Sequence, residues 1–163
     1  MGEVIIRAEE LTRLARDIKK ASNAPELRKR LSKELRVAAK PLVPALRASI
    51  AQIPSKGRPA RKGRAPLRRL LDRSVSVQVK TGKWATVRVF MNPKKMPDGT
   101  KSLPGYFEGI TGKGVLRHPV FGNRDVWASQ LPRPYFARGV SGAEQDARAA
   151  IERVMEDIAK EIE

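Results

Sequence analysis

Two runs of alternating valines restrict the fold more than any other feature of this sequence. They lie in SVSVQVKTGKWATVRVFM, residues 74–91, on either side of a turn signal at Thr81-Gly82-Lys83. The alternating apolar positions are Val75, Val77, Val79, Val87 and Val89. A period of two places these side chains on one face of an extended chain, and two such runs joined by a short glycine-containing turn predict a β-hairpin. We expect this hairpin to bury one face.

The segment before this hairpin has a helical pattern. Seven apolar residues recur every three or four positions: Leu27, Leu31, Leu35, Ala38, Leu42, Leu46 and Ile50. This spacing predicts one buried helical stripe. Pro41 and Pro44 interrupt it, and each removes a backbone donor, so we expect a long helix with a bend near 40–44. A shorter amphipathic helix is predicted before it, over residues 8–21.

The C-terminal segment, 141–163, has a second long helical pattern. Its apolar stripe consists of Ala147, Ile151, Val154, Ile158 and Ile162. Ser141 is the predicted N-cap, with Glu144 at the position of a capping box. Between the hairpin and this helix we expect a long loop with a short helix near Tyr106, and then a further strand around Val126.

These elements predict an α+β fold. It has N-terminal helices (one long and kinked), a small antiparallel sheet built on the hairpin, and a C-terminal helix. With 163 residues, the chain is long enough for one domain with a core, so we expect a single domain over 1–163.

Positive charge is concentrated in a segment rich in Gly, Pro, Arg and Lys. The whole chain carries a net charge of +17. Eight bases and one acid, Asp72, lie between residues 56 and 73, and seven of these bases form a candidate interaction arm: Lys56, Arg58, Arg61, Lys62, Arg64, Arg68 and Arg69. Such a segment offers little apolar surface to bury, so we expect residues 56–73 to be mobile and the flexible arm proper to lie at about 54–67.

Two partners suit the arm, namely a nucleic-acid backbone and an acidic protein surface, including another copy of this chain. The aromatic residues all lie beyond residue 83, outside the arm, so stacking on nucleobases is not expected. Non-specific contact with duplex DNA stays open.

Several classes of chemistry lack the residues they need. The chain has no cysteine and one histidine, which leaves no thiolate and no histidine-rich metal site. Between residues 36 and 123 the acids are Asp72, Asp98 and Glu108, all in predicted loops or loop edges. Acid–base catalysis needs paired carboxylates in a pocket. We therefore expect no enzyme and no cofactor. The apolar runs are too short to cross a membrane, so no membrane partner is expected.

The single histidine lies in LRHPVFGN, residues 116–123. Pro119 restricts His118 to an extended conformation, Phe121 can anchor in the core, and Gly122 permits a turn. With neither a second histidine nor a nearby acid pair, a structural role is favoured over a chemical one. The predicted structural loop residues are His118, Pro119, Phe121, Gly122 and Trp127.

The same motif carries a family resemblance. LRHPVFGN, followed by Trp127, Gln130, RPYF and an alanine-rich C-terminal helix, resembles the tail-completion or head–tail joining (neck) proteins of long-tailed bacteriophages, in particular those of actinobacterial phages. PLRRLLDRSVSVQVK fits the segment that precedes the first long strand in that family. The resemblance extends from about Pro66 to Phe136. The long basic arm between 54 and 66 departs from the family pattern, in which a shorter connection is expected.

The resemblance implies a non-enzymatic virion protein. It would be made in the host cytoplasm and would form a homo-oligomeric ring, expected to be a hexamer, between the head connector and the tail tube. Neighbouring connector and tail proteins would be its partners, and DNA would pass through the ring with possible non-specific contact.

The residues themselves agree with head-to-tail assembly, since the C-terminal segment is acidic and the rest of the chain is basic. The candidate acidic partner face consists of Glu152, Glu156, Asp157 and Glu161. The alternative is a non-specific nucleic-acid-binding protein that acts through the basic arm.

Overall fold

The computed structural model describes residues 3–6, 9–54, 66–82, 84–110, 115–120 and 123–162. Within these ranges the fold is α+β, as predicted. The helices are α1 (Glu9–Asp17), α2 (Ala24–Ala38), α3 (Leu42–Ala51), α4 (Leu67–Ser74), α5 (Leu103–Glu108), α6 (Phe136–Ser141) and α7 (Glu144–Lys160). The strands are β1 (Glu3–Ile6), β2 (Val75–Lys80), β3 (Thr86–Met91), β4 (Leu116–Val120) and β5 (Asn123–Gln130).

The predicted kink is a short turn between α2 and α3. Backbone hydrogen bonds between residues three apart close this turn: Lys40 N–H donates to the carbonyl of Val37, and Leu42 N–H donates to the carbonyl of Ala39. Pro41 lies in this turn, where its missing N–H removes no helical bond. Pro44 lies in the first turn of α3, whose N–H groups have no partner within the helix, so it does not break α3. All seven residues of the predicted stripe are buried, which confirms the pattern.

The valine hairpin is confirmed. β2 and β3 pair antiparallel, with Val77 opposite Val89 and Val79 opposite Val87. The sequence did not indicate β1, which pairs antiparallel with the other edge of β3 and gives the sheet order β1-β3-β2. α2 and α3 contact β2, so the valine face of the sheet closes one side of the core.

The helix α7 packs along α2, and α6 packs on α3. Ala147, Ile151 and Ile158 of the predicted stripe are buried, together with Met155. The predicted capping box is not formed. Ser141 ends α6, and its hydroxyl donates to the carbonyl of Arg138 instead of capping α7.

The basic segment is folded over its last third. α4 follows Pro66 and buries Leu71 completely, because Leu67, Leu70 and Leu71 lie on one side of a helix. This corrects the expectation of a mobile segment through residue 73. The rest of the predicted arm, 55–65, lies outside the described residues.

Candidate interaction surfaces

The histidine motif lies in a strand. His118 is opposite Ala128 and Pro119 is opposite Trp127 in the antiparallel β4–β5 pair, whose register shifts between Pro119 and Val120. This corrects the prediction that His118 and Pro119 belong to a loop. Proline is tolerated because β4 has β5 as its one partner strand in the described structure, which leaves the other edge without a ladder. Phe121 and Gly122 lie outside the described residues.

The His118 ring is half-buried. Its Nδ1 lies 3.3 Å from the carbonyl oxygen of the next residue, Pro119, which is at the long end of hydrogen-bond distances. The contact is local to β4, and the structural role of His118 stays a prediction.

The β4–β5 pair, which we call the ribbon, exposes large apolar side chains. Val126 and Trp127 are adjacent on β5, so they point to opposite faces, and both are about half exposed at 50% and 51%. None of the ribbon's described side chains is part of the buried core. Trp127 is held locally, since its Nε1 donates to the carbonyl of Arg124 at 2.7 Å. Trp127 is therefore a surface residue of the ribbon and does not anchor the motif in the core.

Exposed apolar residues continue beyond one end of the ribbon. Val115 precedes β4 and is 40% exposed, whereas Leu131 follows β5 and is 74% exposed. Both residues lie at the same end of the antiparallel pair, because Leu116 is opposite Gln130. Exposed apolar side chains grouped in this way are typical of a protein–protein contact.

The carboxylate of Glu108 caps the helix α6. Its Oε2 accepts from Tyr135 N–H at 3.1 Å and from Phe136 N–H at 2.9 Å, and its Oε1 accepts from Ala137 N–H at 2.9 Å. These are the donors that a helix start leaves without an internal partner. Sequence reasoning missed this role because 27 to 29 residues separate the carboxylate from its donors. The available signal in the sequence was the short, mostly apolar segment that forms α5, which ends in a single acid, Glu108.

Tyr135 lies at this cap with its side chain buried. Burial, followed by the negative charge of Glu108, raises the pKa of Tyr135 above its ordinary value of 10.0. The folded protein therefore favours the neutral phenol.

We expect Tyr135 to make the folded state less stable in alkali. The contribution of the neutral Tyr135 phenol to the free energy of unfolding is fully present below pH 10, which is about the pKa of an unfolded tyrosine. It is lost as the pH rises further, because the phenol ionises in the unfolded state while it stays neutral in the folded state. In Tyr135→Phe, the free energy of unfolding should therefore fall less between about pH 10 and 12 than in the unchanged protein. Urea unfolding at a series of pH values measures this. Parallel curves for the two proteins would contradict it.

The predicted arm residues fall into two groups. Lys56, Arg58, Arg61, Lys62 and Arg64 lie outside the described residues, whereas Arg68 and Arg69 lie on α4. Arg68 donates from Nη1 to the carbonyl of Ala51 at 3.0 Å, and Asp72 of α4 pairs with Arg47 at 3.3 Å. Both contacts attach α4 to α3.

The predicted acidic face is partly used within the chain. Glu152, Glu156 and Asp157 are exposed on α7. Glu161, however, accepts from Arg30 of α2, which also pairs with Glu34 at 2.7 Å. Hydrogen bonds from Glu34 and then Glu161 raise the pKa of Arg30. Glu161 thus helps attach α7 to α2, which corrects its assignment to a free partner surface.

Among the residues that the structure describes, no group of three or more His, Cys, Asp or Glu side chains is placed to hold a metal ion. In the same part of the chain, every helix is too short or too polar to cross a membrane. No family model, curated protein or solved structure matches the chain.

Proposed function

We propose that this protein is a structural subunit of the neck of a long-tailed bacteriophage. In this proposal, copies of the chain form a ring between the head connector and the tail tube, through which DNA passes. The resemblance of LRHPVFGN and the residues after it to head–tail joining proteins supports this assignment. The protein would be made in the host cytoplasm and retained in the virion.

The ribbon is the observation that carries the proposal. The family-like motif forms one of its strands, and its partner strand exposes Val126 and Trp127. Complete burial of a tryptophan removes roughly 150–250 Å² from water, and Trp127 has about half of its surface left to bury because it is 51% exposed. At about 25 cal/mol per Å², Trp127 would add about 2–3 kcal/mol of gross apolar stabilisation to each contact. In a ring that gain is repeated at every subunit boundary.

Head-to-tail contacts suit this surface. In such a contact, the patch on one subunit meets a different patch on the next, and the series closes when the rotation between copies permits. The ribbon lies outside the core, and within the described residues neither of its outer edges pairs with a further strand, which makes it suitable as one of the two patches. Charge supports a second contact, between Arg69 of one copy and Glu152 or Glu156 of the next. Arg68 and Asp157 already have partners within the chain, Ala51 and Lys160.

The chain provides a matched pair of tryptophans to test the ribbon. Trp127 is on the ribbon and 51% exposed, whereas Trp84 lies near the β2–β3 turn and is 73% exposed. We expect Trp127→Ser to lower the mass of the assembly to that of the monomer, and Trp84→Ser to leave the assembly unchanged. Size-exclusion chromatography with light scattering measures both. Circular dichroism checks that each variant is folded.

Equal behaviour of the two variants would contradict the role of the ribbon. If both variants assembled, the contact would lie elsewhere. If both were monomers and folded, assembly would depend on exposed apolar surface in general. A further test is the genetic neighbourhood, since genes for a portal, a capsid and a tail tube beside this one are expected of a neck protein.

A further inference from the structure

One face of α2 carries a row of positive charge that the neck proposal does not use. Lys29, Lys33 and Arg36 lie on α2, and Lys40 lies in the turn after it. Their spacing of four, three and four residues places them along one side of the helix, opposite the buried leucines. All four are exposed, and together they line one groove between α2 and β2.

This groove contains no carboxylate. Its other lining residues are Ser32, Val37 and Val77. None of its four cations forms an ion pair with a residue that the structure describes. The acids of α2, Glu26 and Glu34, line a neighbouring groove between α2 and α7, where Glu34 pairs with Arg30. Lys29 and Lys33 border both grooves, whereas Arg36 and Lys40 line the α2–β2 groove alone. The four cations therefore remain available to an outside anion, with Arg36 and Lys40 the farther from the acids of the neighbouring groove.

The row has the dimensions of a short stretch of DNA backbone. From Lys29 to Lys40 it extends about 16 Å along the helix direction, at 1.5 Å per residue. Duplex DNA carries one negative charge per about 1.7 Å of its axis, so a stretch of this length presents about five phosphates on each strand. Four cations at intervals of about 4.5–6 Å can therefore contact several phosphates of one strand together.

We propose that this groove binds the sugar–phosphate backbone of double-stranded DNA without sequence preference. No aromatic residue lines it, so it cannot stack on unpaired bases as readers of single strands do. Three of its four cations are lysines, which bind phosphate as point charges and carry no sequence information. The net charge of +17 would draw DNA towards the chain from a distance. The proposal concerns the single chain and does not depend on ring formation.

A matched pair of double variants separates the groove from general charge. Lys29→Gln/Lys33→Gln removes two cations from the groove, and Lys94→Gln/Lys95→Gln removes two exposed lysines from the turn after β3. Both variants lose the same net charge and keep the five bases between residues 56 and 64. Fluorescence anisotropy with a labelled 20-base-pair duplex of random sequence, at several salt concentrations, measures the binding of each.

We expect the groove variant to bind the duplex about tenfold more weakly than the unchanged protein, and the control variant to bind within about twofold of it. The plot of log affinity against log salt should become shallower by about 1.8 in the groove variant, because two phosphate contacts are lost at about 0.9 each. Equal losses in the two variants would assign binding to net charge and overturn the proposal. Weakened binding to poly-L-glutamate with unchanged duplex binding would make the groove a protein site and overturn it too.

Discussion

Gly139→Val should lower the free energy of unfolding by about 3 kcal/mol, the upper range for overpacking a core. Gly139 lies on α6, where that helix rests on α3. A Cβ atom at this position would lie 2.9 Å from Leu46 Cα and from Ser49 Cβ, and 3.3 Å from the carbonyl oxygen of Ala45. Two of these three atoms belong to the backbone, so α6 itself must move away from α3. Urea unfolding followed by circular dichroism measures the loss.

Gly142→Val is the matched control. It lies three residues later, and an added Cβ there would meet nothing within 4 Å. Its unfolding free energy should stay within about 0.5 kcal/mol of the unchanged protein, as for most surface substitutions. Similar losses of unfolding free energy in the two variants would contradict the close packing of α6 on α3.

Glu108→Ala should have the second large effect, a loss of about 3 kcal/mol in the free energy of unfolding. The substitution leaves the N–H groups of Tyr135, Phe136 and Ala137 without their acceptor and removes a negative charge from the start of α6. Chemical denaturation of the purified variant provides the measurement. Glu108→Gln keeps one acceptor oxygen and should lose less.

Asp98→Ala serves as the control for Glu108, because its carboxylate is 94% exposed and contacts Lys101 in an exposed ion pair. Such pairs contribute about 0–1 kcal/mol, so its stability should barely change. A Glu108→Ala variant as stable as Asp98→Ala would show that the cap contributes nothing.

The parts of the fold that the sequence predicted correctly are those that depend on local periodicity. The leucine stripe of α2 and α3 and the valine hairpin each combine a regular apolar spacing with a nearby break, at Pro41 and at the Thr81–Lys83 turn. Such a pattern predicts the same helix or hairpin in any fold that buries one of its faces. The sequence alone was therefore sufficient to predict these elements.

The features that sequence reasoning missed depend on distant partners. Glu108 acquires its role from a helix start that follows 27 residues later. β1 is a short strand whose place is decided by the open edge of β3, and no local pattern marks that edge. Likewise, the proline and glycine of the histidine motif favoured a loop, although pairing with β5 makes it a strand.

The candidate interaction surfaces were predicted in part. The sequence grouped Trp127 with the histidine motif and predicted a strand around Val126, which is β5. It did not show that this strand pairs with the histidine motif or that Trp127 lies on the surface. The sequence did not predict a binding surface on the basic face of α2, because lysines on the solvent side of a helix are common in soluble proteins. The groove that these lysines form requires β2 beside α2, and this is known from the fold alone.

The mass and shape of the purified full chain test directly whether it forms the proposed neck ring. Light scattering across a concentration series, with negative-stain electron microscopy of the same samples, reports both. If copies of the chain form the neck ring, the samples should contain closed rings with an open centre and a mass that is a whole multiple of 18.1 kDa, with six copies expected. A protein that stays at 18.1 kDa at every concentration, and forms no ring when mixed with the head connector and tail-tube proteins, would contradict it.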